Sequence, residues 1–250
     1  MTSEPHLSAA RAPAMIGHDA IVPDVLPVPG GWFLMGSDRG RPDERPVHRV
    51  RVRAVAMGRL PVTNREFGCY IAAGGQAPRF WSDPRFSDPL QPVVGVPWAA
   101  AVAYCDWLAK QTGRRFRLPT EAEWEHAAIG GEDGRLYPWG EAIPESRPGV
   151  PIDGGPMDRP ARAGSGPLNE YGIRDMGWNV HEWCSDWYSA VYYSVSPAED
   201  PRGPHDGSRR ASRGGAWRHQ VKISRCAARS SIPPGLEYSD YGFRVVVEDA

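Results

Sequence analysis

The segment from Asn169 to Trp187 concentrates groups that can do chemistry. Its nineteen positions hold Trp178, Trp183 and Trp187, the carboxylates Asp175, Glu182 and Asp186, the amides Asn169 and Asn179, and the imidazole of His181. It has little apolar period. It is too aromatic for a flexible linker and too irregular for a plain helix or strand, and it reads as an ordered loop that wraps a polar site. Closely spaced carboxylates and backbone carbonyls are the ligands calcium takes. Imidazole is the commonest ligand for iron, copper and zinc.

Five other segments carry similar signals: Arg117 to Glu125, Tyr137 to Gly140, Arg213 to Trp217, Ala227 to Ser230, and Gly242 to Arg244. A second imidazole, His219, follows the third of these. Arg229 could hold a substrate carboxylate in a bidentate pair or brace loops through an internal salt bridge. Trp217 offers a flat apolar wall. The cysteines stand at 69, 105, 184 and 226 with no C-x-x-C pair, which argues against a structural zinc site. No Walker loop, G-x-G-x-x-G, H-E-x-x-H or G-x-S-x-G is present.

These residues need elements to position them. Residues Trp32 to Met35 read as a strand, Asp38 to Pro46 as a charged loop. Val50, Val52 and Ala54 alternate with Arg49, Arg51 and Arg53 as in a half-exposed strand. Thr63 with Glu66 is a capping box that starts a helix carrying Phe67, Tyr70 and Ile71 on one face. A second helix starts at Pro97, carries Trp98, Val102, Cys105 and Leu108, and stops at Gly113. Thr120 with Glu123 caps a third, ending at Gly130 and Gly131. From Gly130 to Asn179 no period is found. Strand-like pieces return near Arg209 to Gly214 and Phe243 to Val247.

The chain has 250 residues, enough for a sizeable core, and a net charge of −1, which favours neither nucleic acid nor an anionic membrane. Gly 28 and Pro 26 with ten Trp describe a loop-rich backbone fixed by aromatic packing. The first 25 residues read as a disordered or loosely packed lead and 26–250 as one domain. No apolar run suits a membrane span, and the lead lacks the regions of a signal peptide. With unpaired cysteines this points to a cytoplasmic protein with reduced thiols.

The six segments, in this order, resemble the formylglycine-generating enzyme (sulfatase-modifying factor) family over about residues 26–247. The resemblance implies an irregular, loop-rich α+β domain with little regular secondary structure, related to the C-type lectin fold. Members include the oxidase that converts a sulfatase cysteine to formylglycine, the catalytic module of sulfoxide synthases and a pyoverdine maturation enzyme. In the formylglycine-generating enzyme two cysteines after the Arg-Gly-Gly motif bind copper(I), a soft ion suited to thiolates. Here the first of those positions falls on His219, and the second holds no cysteine. The family's Trp before the Glu-Trp pair is His181. Secreted relatives bridge the positions matching Cys105 and Cys226 to residues that are Ala128 and Val245 here.

Two histidines in these places imply an iron(II) or copper site, completed by Asp186, Glu182, Asp206 or Asp240 as a 2-His-1-carboxylate set. The alternative is that His181 fills the Trp slot as a packed ring and His219 lines a groove. The resemblance also implies a calcium site from the Asp175 side chain, the Trp178 and Val180 carbonyls and the Glu182 side chain. It implies a substrate groove lined by Arg213, Trp217, Arg229 and Ser230. The expected function is a metal- and oxygen-dependent oxidoreductase acting on a small molecule or a peptide side chain, with His219, His181 and Trp217 at its centre. Cysteine-to-formylglycine oxidation by a divergent site, and a non-catalytic lectin-like binding module, are the alternatives. The oligomeric state is not set by the sequence.

Overall fold

The computed structural model describes residues 20–143 and 158–248. In chain order its elements are β1 (Val25–Val28), β2 (Gly31–Met35), β3 (His48–Val52), β4 (Val55–Gly58), α1 (Asn64–Ala72), α2 (Trp98–Thr112), β5 (Arg115–Arg117) and α3 (Glu121–Ile129). They continue with β6 (His181–Trp187), β7 (Arg210–Arg213), β8 (Arg229–Ile232), β9 (Tyr241–Gly242) and β10 (Val246–Glu248).

The helices start and stop where local chemistry predicts. Thr63 and Thr120 each accept the N3 backbone N–H, while Glu66 and Glu123 reach back to the cap backbone. Two otherwise orphaned donors are thereby satisfied at each start. Gly113 and Gly130 close α2 and α3 in the left-handed conformation. Pro97 is the N-cap of α2, one position earlier than the first helical residue expected for it.

The architecture is mixed α+β. One antiparallel sheet has the order β1-β4-β10-β5, so the ends of the described chain meet in it. β2 and β3 form a separate antiparallel ribbon. The third sheet, β8-β7-β6-β9, is antiparallel except for β9, which runs parallel to β6. One apolar core lies between α3, the ribbon and β6–β7, around Trp124, Phe33, Met57 and Cys184. A second packs α1 and α2 against β9 and β10, around Phe67, Tyr104, Trp183 and Phe243. The arginines of β3 line a solvated face, with Arg49 over the Trp32 ring at 4.5 Å.

Two expectations need correction. Val25, assigned to the lead, opens β1, and Ala20 already packs against the second core; residues 1–19 lie outside the described residues. The second half of the aromatic segment is not a loop but the seven-residue strand β6, inner in its sheet. Both of its faces are buried, so the polar–apolar alternation that reveals a half-exposed strand is missing. The stretch from Gly130 to Asn179 carries only the isolated bridges Tyr137↔Gly140 and Leu168↔Arg174 among its described residues; residues 144–157 lie outside them.

Candidate metal centre

Two loops and one strand start bring the histidines together. His181 opens β6, and its N–H donates to the Asp240 carbonyl at 2.8 Å, just before the His181↔Tyr241 pairing. His219 sits on the turn after β7, where Trp217 N–H donates to the Asn179 carbonyl (2.8 Å) and His219 N–H to the Ala216 carbonyl (2.8 Å). That turn lies against the 176–178 loop so closely that side chains are excluded. A Cβ on Gly214 would meet Gly177 backbone at 3.2 Å, and one on Gly177 would meet the Ser224 carbonyl at 2.6 Å. Both residues have positive φ, which glycine adopts without strain.

His181 Nε2 and His219 Nδ1 lie 3.0 Å apart. Asp240 Oδ2 is 3.5 Å from His219 Nε2. One donor atom from each of the three residues lies within 4.8 Å of the others. His181 and Asp240 are 3% and 1% exposed, while the His219 side chain retains 30%. Burial pushes His181 down to about 4, Asp240 opposing, and burial likewise lowers His219. Both rings therefore stay neutral near pH 7 and keep lone pairs for an ion. Arg218 holds the Asp240 carboxylate through Nε–H to Oδ2 (2.9 Å) and Nη2–H to Oδ1 (2.8 Å). Trp217 stands beside the centre, packed with Phe80 against Phe86, Val94 and Val180.

Of the four expected third ligands, only Asp240 joins the histidines. Asp206 is exposed and outside the cluster. Asp186 accepts the Glu121 N–H at 3.0 Å. Glu182 is taken by Arg244, through Nε (2.6 Å) and Nη2 (2.7 Å), and by Trp124 Nε1–H (2.6 Å).

That pairing bears on the calcium expectation. An ion at Glu182 would have to displace a fully buried guanidinium. Asp175 is equally engaged, accepting the Gly164 and Gly166 N–H groups at 2.6 and 2.7 Å. Both carboxylates expected to hold calcium with the Trp178 and Val180 carbonyls are thus partnered by protein groups in this structure.

The arginines expected in a substrate groove are interior braces. Arg213 is wholly buried, 2.6 Å from Glu125 and 3.0 Å from Glu121, with Nη2–H also donating to Tyr193 Oη at 2.7 Å. Arg229 forks Glu121 at 2.8 Å through Nε and Nη2 and stacks on the Tyr193 ring. Burial works to raise the Glu121 carboxyl, and Arg229 and Arg213 overcome it, so it stays ionised. Ser230 reaches the Tyr241 hydroxyl at 3.1 Å and borders a surface groove of 560 Å³ with Arg41, Tyr188 and Val191. Cys105, Cys184 and Cys226 are buried, and desolvation raises all three thiols. Among the described residues no cysteine joins a metal-ligating group.

Arg218 and Tyr241 were not singled out in the sequence. Both adjoin segments that were: Arg218 stands between Trp217 and His219, and Tyr241 precedes Gly242.

Asp186 supports a pH prediction. Burial, then the charge of Glu121, pushes its carboxyl up to about 7, above the roughly 3.9 of an unfolded aspartate. A raised folded value means the folded state holds the extra proton. Stability from this group is complete below about pH 4 and lost as pH rises through 7. Asp186→Asn, which keeps the acceptor for the Glu121 N–H, is expected to stabilise the protein at pH 8 by up to about 4 kcal/mol, with no gain at pH 4. Thermal unfolding of both proteins at the two pH values checks it.

The chain matches the sulfatase-modifying factor enzyme 1-like domain across residues 13–249. It is 34% identical over 301 residues to the formylglycine-generating enzyme of Streptomyces coelicolor, covering 96% of this chain and 94% of that one. It is 38% identical over 238 residues to the serine/threonine-protein kinase pkn1 of Chlamydia caviae, covering 87% of this chain but spanning only 37% of that relative's length. Among solved structures, PvdO from Pseudomonas aeruginosa superposes with a TM-score of 0.80 at 29% identity, covering 96% of this chain and all (100%) of that one.

Proposed function

The chain belongs to the sulfatase-modifying factor family, and on that premise we propose that it is an oxygen-using oxidoreductase whose metal is held by His181, His219 and Asp240. The observation that carries this reading is the convergence of those three donors within 4.8 Å. The nitrogens of the two rings, 3.0 Å apart, can be bridged by two bonds of about 2.0–2.2 Å. Two imidazoles and a carboxylate suit iron(II), or copper(II), better than the copper(I) that a dithiolate would select. A bound ion would supply one-electron chemistry with dioxygen.

The chain's own residues do the rest. Burial keeps both imidazoles neutral, so no proton competes strongly for their lone pairs near pH 7. Arg218 orients Asp240 and balances its charge. Trp217, with Phe80 and Phe86, forms an apolar wall that excludes water and presents a flat surface to a small molecule or a peptide side chain. Oxidation of a substrate cysteine through Cys184 or Cys226 is disfavoured, because both thiols are buried and held protonated. A binding module without chemistry is the less favoured reading, because it does not call for two neutral imidazoles, one buried and one partly exposed, converging on a carboxylate.

The test is metal analysis by mass spectrometry on protein purified without chelator, with separate add-back of iron, copper and calcium, alongside oxygen uptake. Near-stoichiometric iron or copper with oxygen consumption is expected. Calcium alone, or no retained metal after add-back, would remove the reading.

A further inference from the structure

Tyr241 has no role in that chemistry, yet it connects the candidate centre to the interior and to solvent. It follows Asp240 directly, and its ring lies 4.8 Å from the His181 ring, tilted by 33°. Beyond it stand Trp183, ring centroid at 5.2 Å, and Tyr238 at 6.0 Å. Tyr241 is 4% exposed, whereas Tyr238 is 44% exposed. Two aromatic rings, Tyr241 and Tyr238, thus run from a metal-ligand candidate to the surface, with the buried Trp183 as a side branch.

The strand register explains the contacts. Trp183, Ser212 and Ser230 are successive cross-strand partners on β6, β7 and β8, so their side chains share one face of the sheet. His181, two residues before Trp183, and its partner Tyr241 lie on that face. The Tyr241 hydroxyl is thereby placed between Ser230 Oγ (3.1 Å) and Ser212 Oγ (3.4 Å). It is bonded within the sheet and not to either imidazole, which argues against proton exchange with a substrate at the centre. The ring, in contrast, packs at a tilt against a candidate ligand.

We propose that Tyr241 is a redox relay for the His181–His219 centre, protecting it when dioxygen is activated there with no substrate bound. The inference rests on the oxidoreductase reading above. Tyr241 gives one electron across the His181 ring to superoxide, the one-electron product of dioxygen at the centre, which takes up two protons from solvent and leaves as hydrogen peroxide. Its phenolic proton passes to Ser230, whose hydroxyl releases a proton to solvent in the groove it borders. The resulting phenoxyl radical is refilled by one electron and one proton from an external small thiol or ascorbate, the electron entering at Tyr238. Each cycle consumes one reducing equivalent and leaves the residue unchanged.

The experiment is freeze-quench electron paramagnetic resonance on protein loaded with iron(II) without air and then mixed with oxygen in the absence of substrate. A tyrosyl signal is expected, with hyperfine splitting that collapses when the protein carries ring-deuterated tyrosine. Tyr241→Phe keeps the ring and its packing and should lose the signal. Tyr238→Phe should keep the signal and prolong it when ascorbate is added. A signal unchanged in Tyr241→Phe, or no protein radical in iron-loaded wild type, overturns the relay. Iron content measured on the same samples separates the two readings. Iron retained without a radical defeats the relay alone, and iron not retained defeats the metal centre and the relay with it.

Discussion

Replacing His219 with alanine is expected to abolish stoichiometric retention of iron or copper while leaving the fold in place. His219 lies between the other two residues: its Nδ1 is 3.0 Å from His181 Nε2 and its Nε2 is 3.5 Å from Asp240 Oδ2, and only one of these nitrogens can serve a given ion. Without it, His181 and Asp240 are too few to hold an ion against water. Changes in residues that only orient a ligand already cost about 10–100-fold in metal affinity, so removing the ligand itself should exceed the upper end of that range. The cost in stability should be small, within about 1 kcal/mol. The ring is partly exposed, sits on a turn held by backbone bonds from Trp217 and His219, and fills no core position. Competition with a coloured chelator would give the affinities, and circular dichroism with thermal unfolding would report the fold. His181→Ala should lose the metal too, but with greater damage to packing, because His181 is buried against Tyr241. If His219→Ala retains one equivalent of iron or copper at wild-type affinity, the centre is elsewhere.

The largest effect on stability is expected from Arg213→Met. This side chain is fully buried between Glu121 and Glu125, and its Nη1–H also donates to the Cys226 carbonyl at 3.0 Å. Removing one partner of a buried ion network costs about 3–5 kcal/mol, because a desolvated charge is left behind. That is a large share of the 5–15 kcal/mol typical of a folded domain. Glu121 keeps Arg229, whereas among the described residues Glu125 would keep the Gly36 N–H at 2.8 Å. Neutralising the stranded carboxylate in Arg213→Met/Glu125→Gln should therefore recover part of the loss, which a cavity effect would not allow. Urea unfolding of wild type, single and double variants measures both quantities. A single variant within 1 kcal/mol of wild type, on the scale of an ordinary surface change, would show that this network does not hold the fold.

Backbone rules that act over a few residues were readable without a structure. The Thr63 and Thr120 capping boxes and the Gly113 stop depend on neighbours three or four positions away, and each stands where it was expected. Strand β6 was missed because the usual sign of a strand is the contrast between a wet and a dry face. Here Glu182 and Asp186 point into a polar interior on one side while Trp183 packs into the second core on the other.

The sequence by itself determined that the chain belongs to its family, where its helices begin, and that two imidazoles stand where relatives carry a Trp and a Cys. It could also name the carboxylates of the site region, but not Arg218, which pairs with Asp240. Only the tertiary structure decided which of them meet. Glu182 is neutralised by Arg244, 62 residues on, and Arg213 by Glu125, 88 residues earlier. Asp240 is the carboxylate that meets the histidines because the β6–β9 register sets it beside His181. A buried charge must find a counter-charge, but the low-dielectric interior imposes that demand without specifying the partner. Strand register and loop closure choose it, and they act between residues that the linear sequence holds far apart.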